Sequence, residues 1–577
     1  MRTLEDFAEI LLCDFEYYGT EKRQPPVPLC VCAKELRSRR EYRIWQDELQ
    51  RPEPPWAHND KTLFVSFSAS AELSCYLVLG WPMPRFVLDL LIEHRQLVNG
   101  VLDKQKPRDL LAAMRYYRLP AIAPAEKKKW QDIVQTGGPF GAAERAEILK
   151  YCWGDVQPLE LLLRAMLGRM PRDLNQALYR GRYAVSATRM MHAGIPVDES
   201  LFNRLLADRQ AIQHEVIFQP PGCPVFDEHC TFKMERFREF LKAQGLYGVW
   251  PRTKTGRLST SDETFKDFAL YPAVEHVRQT RQVIEQLSRP GFSVLKGRNY
   301  YSILPFKAET SRNATLGCLF QAPAWLRGLI RPEPGRGLIY ADYSAEELAI
   351  GGVLANDPEV IRMYKMGDPH TAFGVMVGLI PPGGTKQTHP AERAAAKTLA
   401  LATQYGMSAR TLATRLNISR NRAHDLLALH RSIFSRLWKW SDEQVRGAYW
   451  TRTICSSHGW RLAVNRKTGE RTLRNFKVQS AGADVLRLAN VLLHENGIQV
   501  CCPVHDAFLV ECAESDLEDV EHAVRHQMER ASELVLEGFR LRVEVKPLRY
   551  PDRLQESRGQ VMWDRVTSIV ARLNRAA

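Results

Sequence analysis

The chain has 577 residues, 45% of them apolar, with 80 Lys plus Arg against 66 Asp plus Glu for a formal charge of +14. That length predicts about three to five structural units with ordinary buried cores, and the basic balance favours a polyanionic partner. Glu5, Asp6 and Glu9 break the first apolar segment, which argues against a secretory leader. No apolar stretch reaches the ~20 residues of a spanning helix, and the 12 scattered cysteines form no paired C-x-x-C array with histidines, which argues against structural zinc. A cytoplasmic protein with mostly free thiols is expected.

Residues 9–16 read as a buried strand ending in acids, with partner strands at 29–34 and 41–45. A Pro-rich loop at 51–60 and a strand at 63–67 follow. Helical periodicity near 70–79 and from 142 to 168 completes an α/β unit over about the first 165 residues. Residues 173–218 are mostly helical, with a turn at Gly194-Ile195-Pro196 and a Pro-rich interruption at 219–225. Further helices are expected at 230–242 and 262–288. Between them, Pro251 to Ser261 is polar and basic, suited either to solvent or to a phosphate backbone. A strand at 337–343 leads into a helix at 344–355, and helix formers dominate 391–430. A helix at 480–495 precedes a hairpin of 498–502 and 507–512, with Val504-His505-Asp506 at its turn. A helix, a strand at 541–545 and a terminal helix close the chain. Strands separated by long helical insertions predict an α+β organisation, unlike a repeating βα barrel.

Asp342 ends an apolar strand and Asp506 sits at a tight turn between two others. Each alone reads as an ordinary turn or cap residue. Brought together on adjacent strand ends, they suit two Mg²⁺ ions about 3.5–4 Å apart, the arrangement that phosphoryl transfer requires. Arg393, Lys397, Leu401 and Tyr405 recur every four residues and share one helical face. A core-facing stripe would not ordinarily begin with Arg and Lys. These two suit the β and γ phosphates of a nucleoside triphosphate, Lys397 suits the leaving pyrophosphate, and Tyr405 suits stacking near a base pair.

Asp342-Tyr343-Ser344-Ala345-Glu346-Glu347-Leu348 matches DYSxxEL, Arg393 to Gly406 matches RxxxKxxxFxxxYG, and Val504-His505-Asp506 matches VHD. With these signatures in this order, the chain resembles the family A DNA polymerases, the group of bacterial DNA polymerase I, in a lean form that fits replication by a phage or mobile element, or a repair role. The resemblance runs from about residue 170 to the end and is looser before that. It implies an exonuclease domain over 1–165 and a right-hand polymerase over 166–577. Within the latter, the thumb would span about 195–300, the palm 301–355 and 451–577, and the fingers 356–450. It implies that Asp342 and Asp506 bind metal, that Arg393 and Lys397 bind the triphosphate, and that Leu401 and Tyr405 sit by the nucleotide sugar and the templating pair. Glu347 becomes the steric gate against a ribose 2′-hydroxyl. Arg312, Arg471, Asn475, Gln479 and His505 become contacts to primer or template DNA. Asp368-Pro369-His370 resembles a fingers DxH element, for which helix capping is an equal explanation.

Three departures mark this chain. Leu401 replaces an aromatic residue beside the sugar, Ala345 replaces a common Gln, and Ala507 stands where an acid often follows Asp506.

In the first unit, Asp14 and Glu16 share one strand face, and Tyr151 and Asp155 share one helix face. These resemble the DEDD 3′–5′ exonucleases, in the branch with Tyr four residues before the last Asp. The resemblance implies metal binding by Asp14, Glu16 and Asp155 and water orientation by Tyr151. Its second motif is weaker: Glu72 stands for the usual Asp, with Asp89 as a competitor that more simply ends an element. No segment for a 5′ nuclease is expected. The expected cofactors are two Mg²⁺ per site, with Mn²⁺ as substitute. The expected partners are primer-template DNA, deoxynucleoside triphosphates and an accessory clamp or helicase, with no membrane, for a monomer in the bacterial cytoplasm or nucleoid, or in the host cytoplasm if phage-encoded.

Overall fold

The computed structural model describes residues 1–19, 23–103, 107–120 and 123–576. The N-terminal sheet contains β1 (Glu9–Tyr18), β2 (Val27–Glu35), β3 (Glu41–Trp45), β4 (Thr62–Ser66) and β5 (Phe86–Asp89) in the order β3-β2-β1-β4-β5. The β1–β2 and β2–β3 pairs are antiparallel, whereas β1–β4 and β4–β5 are parallel. Among the described residues, the helices of this unit are α1 (Ala69–Leu79), α2 (Leu90–Val98), α3 (Leu110–Tyr116), α4 (Pro124–Val134) and α5 (Ala142–Leu167).

Strand alternation divides the sheet into two faces. Ile10, Leu12, Cys30 and Cys32 join a core with α5. Leu11, Cys13, Phe15, Val31 and Ala33 face the other way, into a core shared with α1 and with α6 (Asn175–Ala193). That second core runs on without a break into the C-terminal half, through Tyr183, Ala184 and Ala187 of α6. The contact is close: a Cβ added to Gly181 would fall 1.9 Å from the Val87 carbonyl oxygen.

A helical projection follows: α7 (Glu199–Ala207), α8 (Arg209–Phe218), α9 (Met234–Ala243), α10 (Asp262–Asp267) and α11 (Pro272–Ser288). Its tip has its own aromatic core, including Phe226, Phe237, Trp250, Phe265 and Phe268. Here α9 begins at Met234 rather than at 230, because Asp227 Oδ1 accepts the His229 and Thr231 amides and holds 227–231 as a turn.

Short pairs follow, β6 (Ile195–Pro196) with β7 (Arg298–Asn299) and β8 (Ser302–Leu304) with β9 (Ala314–Leu316). The second main sheet is antiparallel throughout, in the order β13-β14-β10-β15. Its strands are β10 (Arg336–Tyr343), β13 (Gln499–Val504), β14 (Ala507–Ala513) and β15 (Val543–Arg549), while β11 (Thr453–Cys455) pairs with β12 (Arg461–Ala463) outside it. Between β10 and β11 lie α12 (Glu346–Leu354), α13 (Pro358–Lys365), α14 (Pro369–Met376), α15 (Pro390–Gln404), α16 (Ala409–Leu416), α17 (Arg420–Ile433) and α18 (Ser435–Thr451). These close on a separate core that includes Leu348, Val360, Phe373, Leu412 and Phe434. The expected helical stretch 391–430 is three helices, because Ser408 and Ser419 each accept a backbone amide as N-caps.

The chain ends with α19 (Glu470–Glu495), α20 (Leu517–Val535) and α21 (Ser557–Ala576). α19 starts ten residues before the expected 480, so Arg471, Asn475 and Gln479 share one face of a helix. β15 starts at Val543 rather than at 541. The Leu541 amide goes to Ser532 Oγ at 2.9 Å and the Arg542 amide to Tyr364 Oη at 2.7 Å, so neither serves the ladder.

Candidate active site

A cleft of about 1000 Å³ opens where β10, the β13–β14 turn and α15 converge. The antiparallel registers place Asp342 between Ala507 on one side and Glu544 on the other. His505, at the tip of the hairpin, takes a left-handed φ of 56°, and the Tyr343 amide donates to the Asp506 carbonyl at 3.3 Å. The turn thus sets Asp506 beside Asp342. Burial, then the Asp506 and Glu544 carboxylates, push the Asp342 carboxyl up to about 7, while Lys397 opposes the shift. Burial also raises Asp506, with Glu347 adding to it and His505 and Lys397 opposing. Asp342 Oδ1 is buried without a hydrogen-bond partner. Two adjacent carboxylates and an orphaned oxygen fit a divalent cation, which relieves both the repulsion and the missing contact.

Arg393, Lys397 and Leu401 line the cleft from α15. Arg393 is held by Asp368, with Nη2–Oδ1 at 3.0 Å and a second, shorter contact through Nε. Asp368 also caps α14 through the His370 amide and accepts from Thr371 Oγ1 at 2.6 Å. Its Arg393 and Thr371 partners outweigh burial and hold its carboxyl down at about 2. His370 lines the same cleft; burial, then Lys397 and Arg393, lower it to about 4, so it is neutral at pH 7. Asp368 therefore both caps a helix and aims a guanidinium.

Arg312 donates to Glu347 at 2.6 Å. Burial would lower the Arg312 pKa, but the Glu347 carboxylate raises it overall. Burial and the Glu347 charge raise the Tyr405 hydroxyl, which puts Tyr405 against this pair. The Arg312 loop is fixed from behind by Arg487, which is 1% exposed and donates to Ser311 O and Ser311 Oγ, each at 2.8 Å. Arg487 also pairs with Asp484 at 2.6 Å. Ser311 itself is left-handed, at φ 61°.

Several residues of the cleft carry no distinctive signal in the sequence. Glu346 is 3% exposed, lines the cleft, and carries a buried oxygen without a partner. Burial keeps its carboxyl well above the usual range. It has room because α19 offers a glycine: a Cβ on Gly482 would lie 3.1 Å from the Glu346 carboxylate. Glu544 is held by Ser344 Oγ at 2.7 Å. The Val-Glu-Val alternation at 543–545 signalled an outward acid, but its neighbour across the ladder was not readable. Arg471, Asn475 and Gln479 are outside the cleft lining, on the first turns of α19, whereas Gly482, Ala483, Leu486 and Arg487 of the same helix line it.

A second cluster lies where the N-terminal sheet meets α5. Ligand atoms of Asp14, Glu16 and Cys152 lie within 4.8 Å of one another, the one such group among the described residues. Cys152 was not anticipated as a member; its thiol donates to the Asp14 carbonyl at 3.3 Å. Burial, then neighbouring carboxylates, raise both Asp14 and Glu16 well above the usual range. Such a set fits a cation. Asp155 instead pairs with Lys127 at 2.6 Å, and Tyr151 stacks on Trp130. Glu72 Oε2 accepts the Phe15 amide at 2.8 Å, just past the last parallel β1–β4 pair at Leu12 and Val65. Asp89 is fully occupied as a cap: its carboxylate accepts the amides of Ser68, Ala69, Leu91 and Ile92.

An acid near the end of β10, another in the β13–β14 turn beside it and a basic face of α15 thus converge on one cleft. Residues 319–547 match the family described as DNA polymerase family A. The chain is 30% identical over 378 residues to the thermostable DNA polymerase I of Thermus caldophilus, covering 60% of this chain and 45% of that one. It is 26% identical over 427 residues to the thermostable DNA polymerase I of Thermus filiformis, covering 68% and 50%, and 29% identical over 214 residues to the DNA polymerase of Mycobacterium phage D29, covering 35% and 34%. The chain thus spans about half the length of the thermostable relatives or less. Among solved structures it resembles the POL domain of Pol1 from M. smegmatis, solved in complex with DNA primer-template and dNTP. The TM-score is 0.70 at 19% identity, over 93% of this chain and 95% of that one. The fold is similar to that of this POL domain, with palm-, fingers- and thumb-like parts. Among the described residues, no helix is long and apolar enough to cross a membrane.

Proposed function

We propose that this chain is a DNA-directed DNA polymerase that extends a primer 3′ end from deoxynucleoside triphosphates on a template strand. The observation that carries it is the paired Asp342 and Asp506 facing Arg393 and Lys397 across one cleft. Asp342 and Asp506 would hold two Mg²⁺ ions, with Mn²⁺ as substitute. When bound, these ions lower the proton affinity of the primer hydroxyl and neutralise charge on the phosphates. Arg393, aimed by Asp368, and Lys397 bind the triphosphate, and Lys397 neutralises or protonates the leaving pyrophosphate. Tyr405 and Leu401 bound the nucleotide beside Glu347, which crowds a 2′-hydroxyl. Arg312 and His505 meet the primer end, and Arg471, Asn475 and Gln479 meet the duplex along the first turns of α19. Primer extension by the parent chain and by Asp506→Ala tests the reading. Extension at the parental rate in Asp506→Ala sinks it.

The N-terminal unit supports a second activity. Its strand order and directions, with Asp14 and Glu16 on β1 and Tyr151 and Asp155 on α5, favour a ribonuclease H-like 3′–5′ exonuclease over 1–165, preceding a polymerase region over 166–577. Asp14, Glu16 and Asp155 would hold its metals, with Glu72 contributing the oxygen not engaged by Phe15. Tyr151 orients the attacking water. Mg²⁺-dependent loss of a 3′ label, abolished by Asp14→Ala/Glu16→Ala, is the expected result. No digestion with excess protein and metal overturns it and leaves the unit as a scaffold.

A further inference from the structure

The carboxylates of the N-terminal cluster already have a cation of their own. Lys127 on α4 lies 2.6 Å from Asp155 Oδ2, with side-chain exposures of 16% and 9%. Its charge also reaches Asp14 and Glu16, which it partly offsets. Without such a cation, several acids crowded at one buried sheet end would repel one another. Three residues along the same helix, Trp130 stacks on Tyr151 with ring centroids 6.2 Å apart and planes at 22°. Lys127 and Trp130 share one face of α4, and that face covers the two α5 residues assigned to metal and water.

Beyond these contacts α4 is held by a short apolar end, where Ile133 packs partly buried against the core that contains Val134. Val134 is the one buried residue among its eleven. Just past its end, Gln135 Nε2 donates to the Tyr17 carbonyl at 3.1 Å. A helix anchored by so few apolar contacts opens at low cost compared with the sheet beneath it.

We propose that α4 is a latch that closes the exonuclease site when no DNA end occupies it, with Lys127 competing with divalent metal for the carboxylates and Trp130 shielding Tyr151. The inference rests on the exonuclease reading given above. A 3′ end and its metals enter only as α4 swings away, so the closed chain keeps its cleft free of idle metal and spares the primer. Two doubly charged ions more than replace one ammonium, which favours the open state once metal and DNA are both present.

The test uses the full chain carrying Asp342→Ala/Asp506→Ala, so that Mn²⁺ seen by electron paramagnetic resonance reports the N-terminal site. Lys127→Ala is expected to tighten Mn²⁺ about tenfold, the effect of removing a closed state that outweighs the open one about ninefold, and to speed digestion of 3′-labelled single strands at limiting metal. Trp130→Ala moves both readouts in the same direction with the ammonium intact, and Lys127→Arg stays near the parent. Mn²⁺ affinity that is unchanged or weaker in both Lys127→Ala and Trp130→Ala, with digestion still lost in Asp14→Ala/Glu16→Ala, overturns the latch and leaves the exonuclease standing. Mn²⁺ binding and digestion that ignore Asp14→Ala/Glu16→Ala overturn the exonuclease reading and the latch together.

Discussion

Arg312 and Glu347, from two separate segments, meet at 2.6 Å on the floor of the cleft. The pair pins the carboxylate assigned to sugar choice, so its rigidity should matter as much as its bulk. Glu347→Ala is expected to cut the preference for deoxynucleotides over ribonucleotides by about a hundredfold, and Arg312→Ala by less, since the gate remains but swings. Single-nucleotide incorporation with both sugars measures it. An unaltered ratio in Glu347→Ala removes the gate from this residue.

Metal binding should depend steeply on pH. With the Asp342 carboxyl at about 7 in the free chain, Mg²⁺ must displace a proton below that value. Calorimetric titration is expected to show about tenfold tighter Mg²⁺ at pH 8 than at pH 6. Stability moves the other way in chelator. A carboxyl whose proton affinity rises on folding favours the folded chain below the unfolded carboxyl range, and that contribution disappears as pH climbs through about 7. Asp342→Asn should therefore melt higher than the parent at pH 8 and no higher at pH 4. Equal melting of the two across this window would falsify the assignment.

Leu401 faces the cleft at the position where the resemblance to the family implies an aromatic ring. A branched aliphatic side chain packs against a sugar differently from a flat hydroxylated one. Leu401→Tyr is expected to shift the ratio of dideoxy to deoxynucleotide incorporation. The shift is read by competition on a primed template, and a constant ratio dissociates Leu401 from the sugar.

Gly181 is a point of close approach between α6 and β5, with Val87 O only 1.9 Å from where a Cβ would sit. Gly181→Ala forces the helix off β5 and should cost about 1–3 kcal/mol. Thermal melting should show the loss in the transition that includes the N-terminal unit. A parental melting curve argues that the helix shifts freely there.

Local signals in the sequence located most of this architecture. The apolar runs of β1 and β10 and the four-residue spacing from Arg393 to Leu401 are short-range patterns that stand where they were expected, whereas Tyr405 lies just past the end of α15. Boundaries slipped where a distant group captured the backbone, as Ser532 and Tyr364 do with the Leu541 and Arg542 amides. The start of α19 was missed because its first turns are polar and its burial depends on other elements. Partnerships across long separations left no trace. The Arg487 grip on Ser311 spans 176 positions, and the approach of Glu544 to Asp342 depends on which strand lies beside β10. Lys127 sits in a run of three lysines that reads as a solvated face, and only the fold turns one of them inward.

The core that passes from β1 through α6 to the hairpin bearing Asp506 has a mechanical meaning. It seats the two acidic clusters on one continuous core, which resists changes in the span between them. A DNA end that visits both must make the journey itself, by fraying from its template and crossing that span as a single strand. Under the proposed polymerase and exonuclease activities, how readily the terminal pairs melt, rather than any swing of one unit against the other, should then set how often a newly made end is offered for removal.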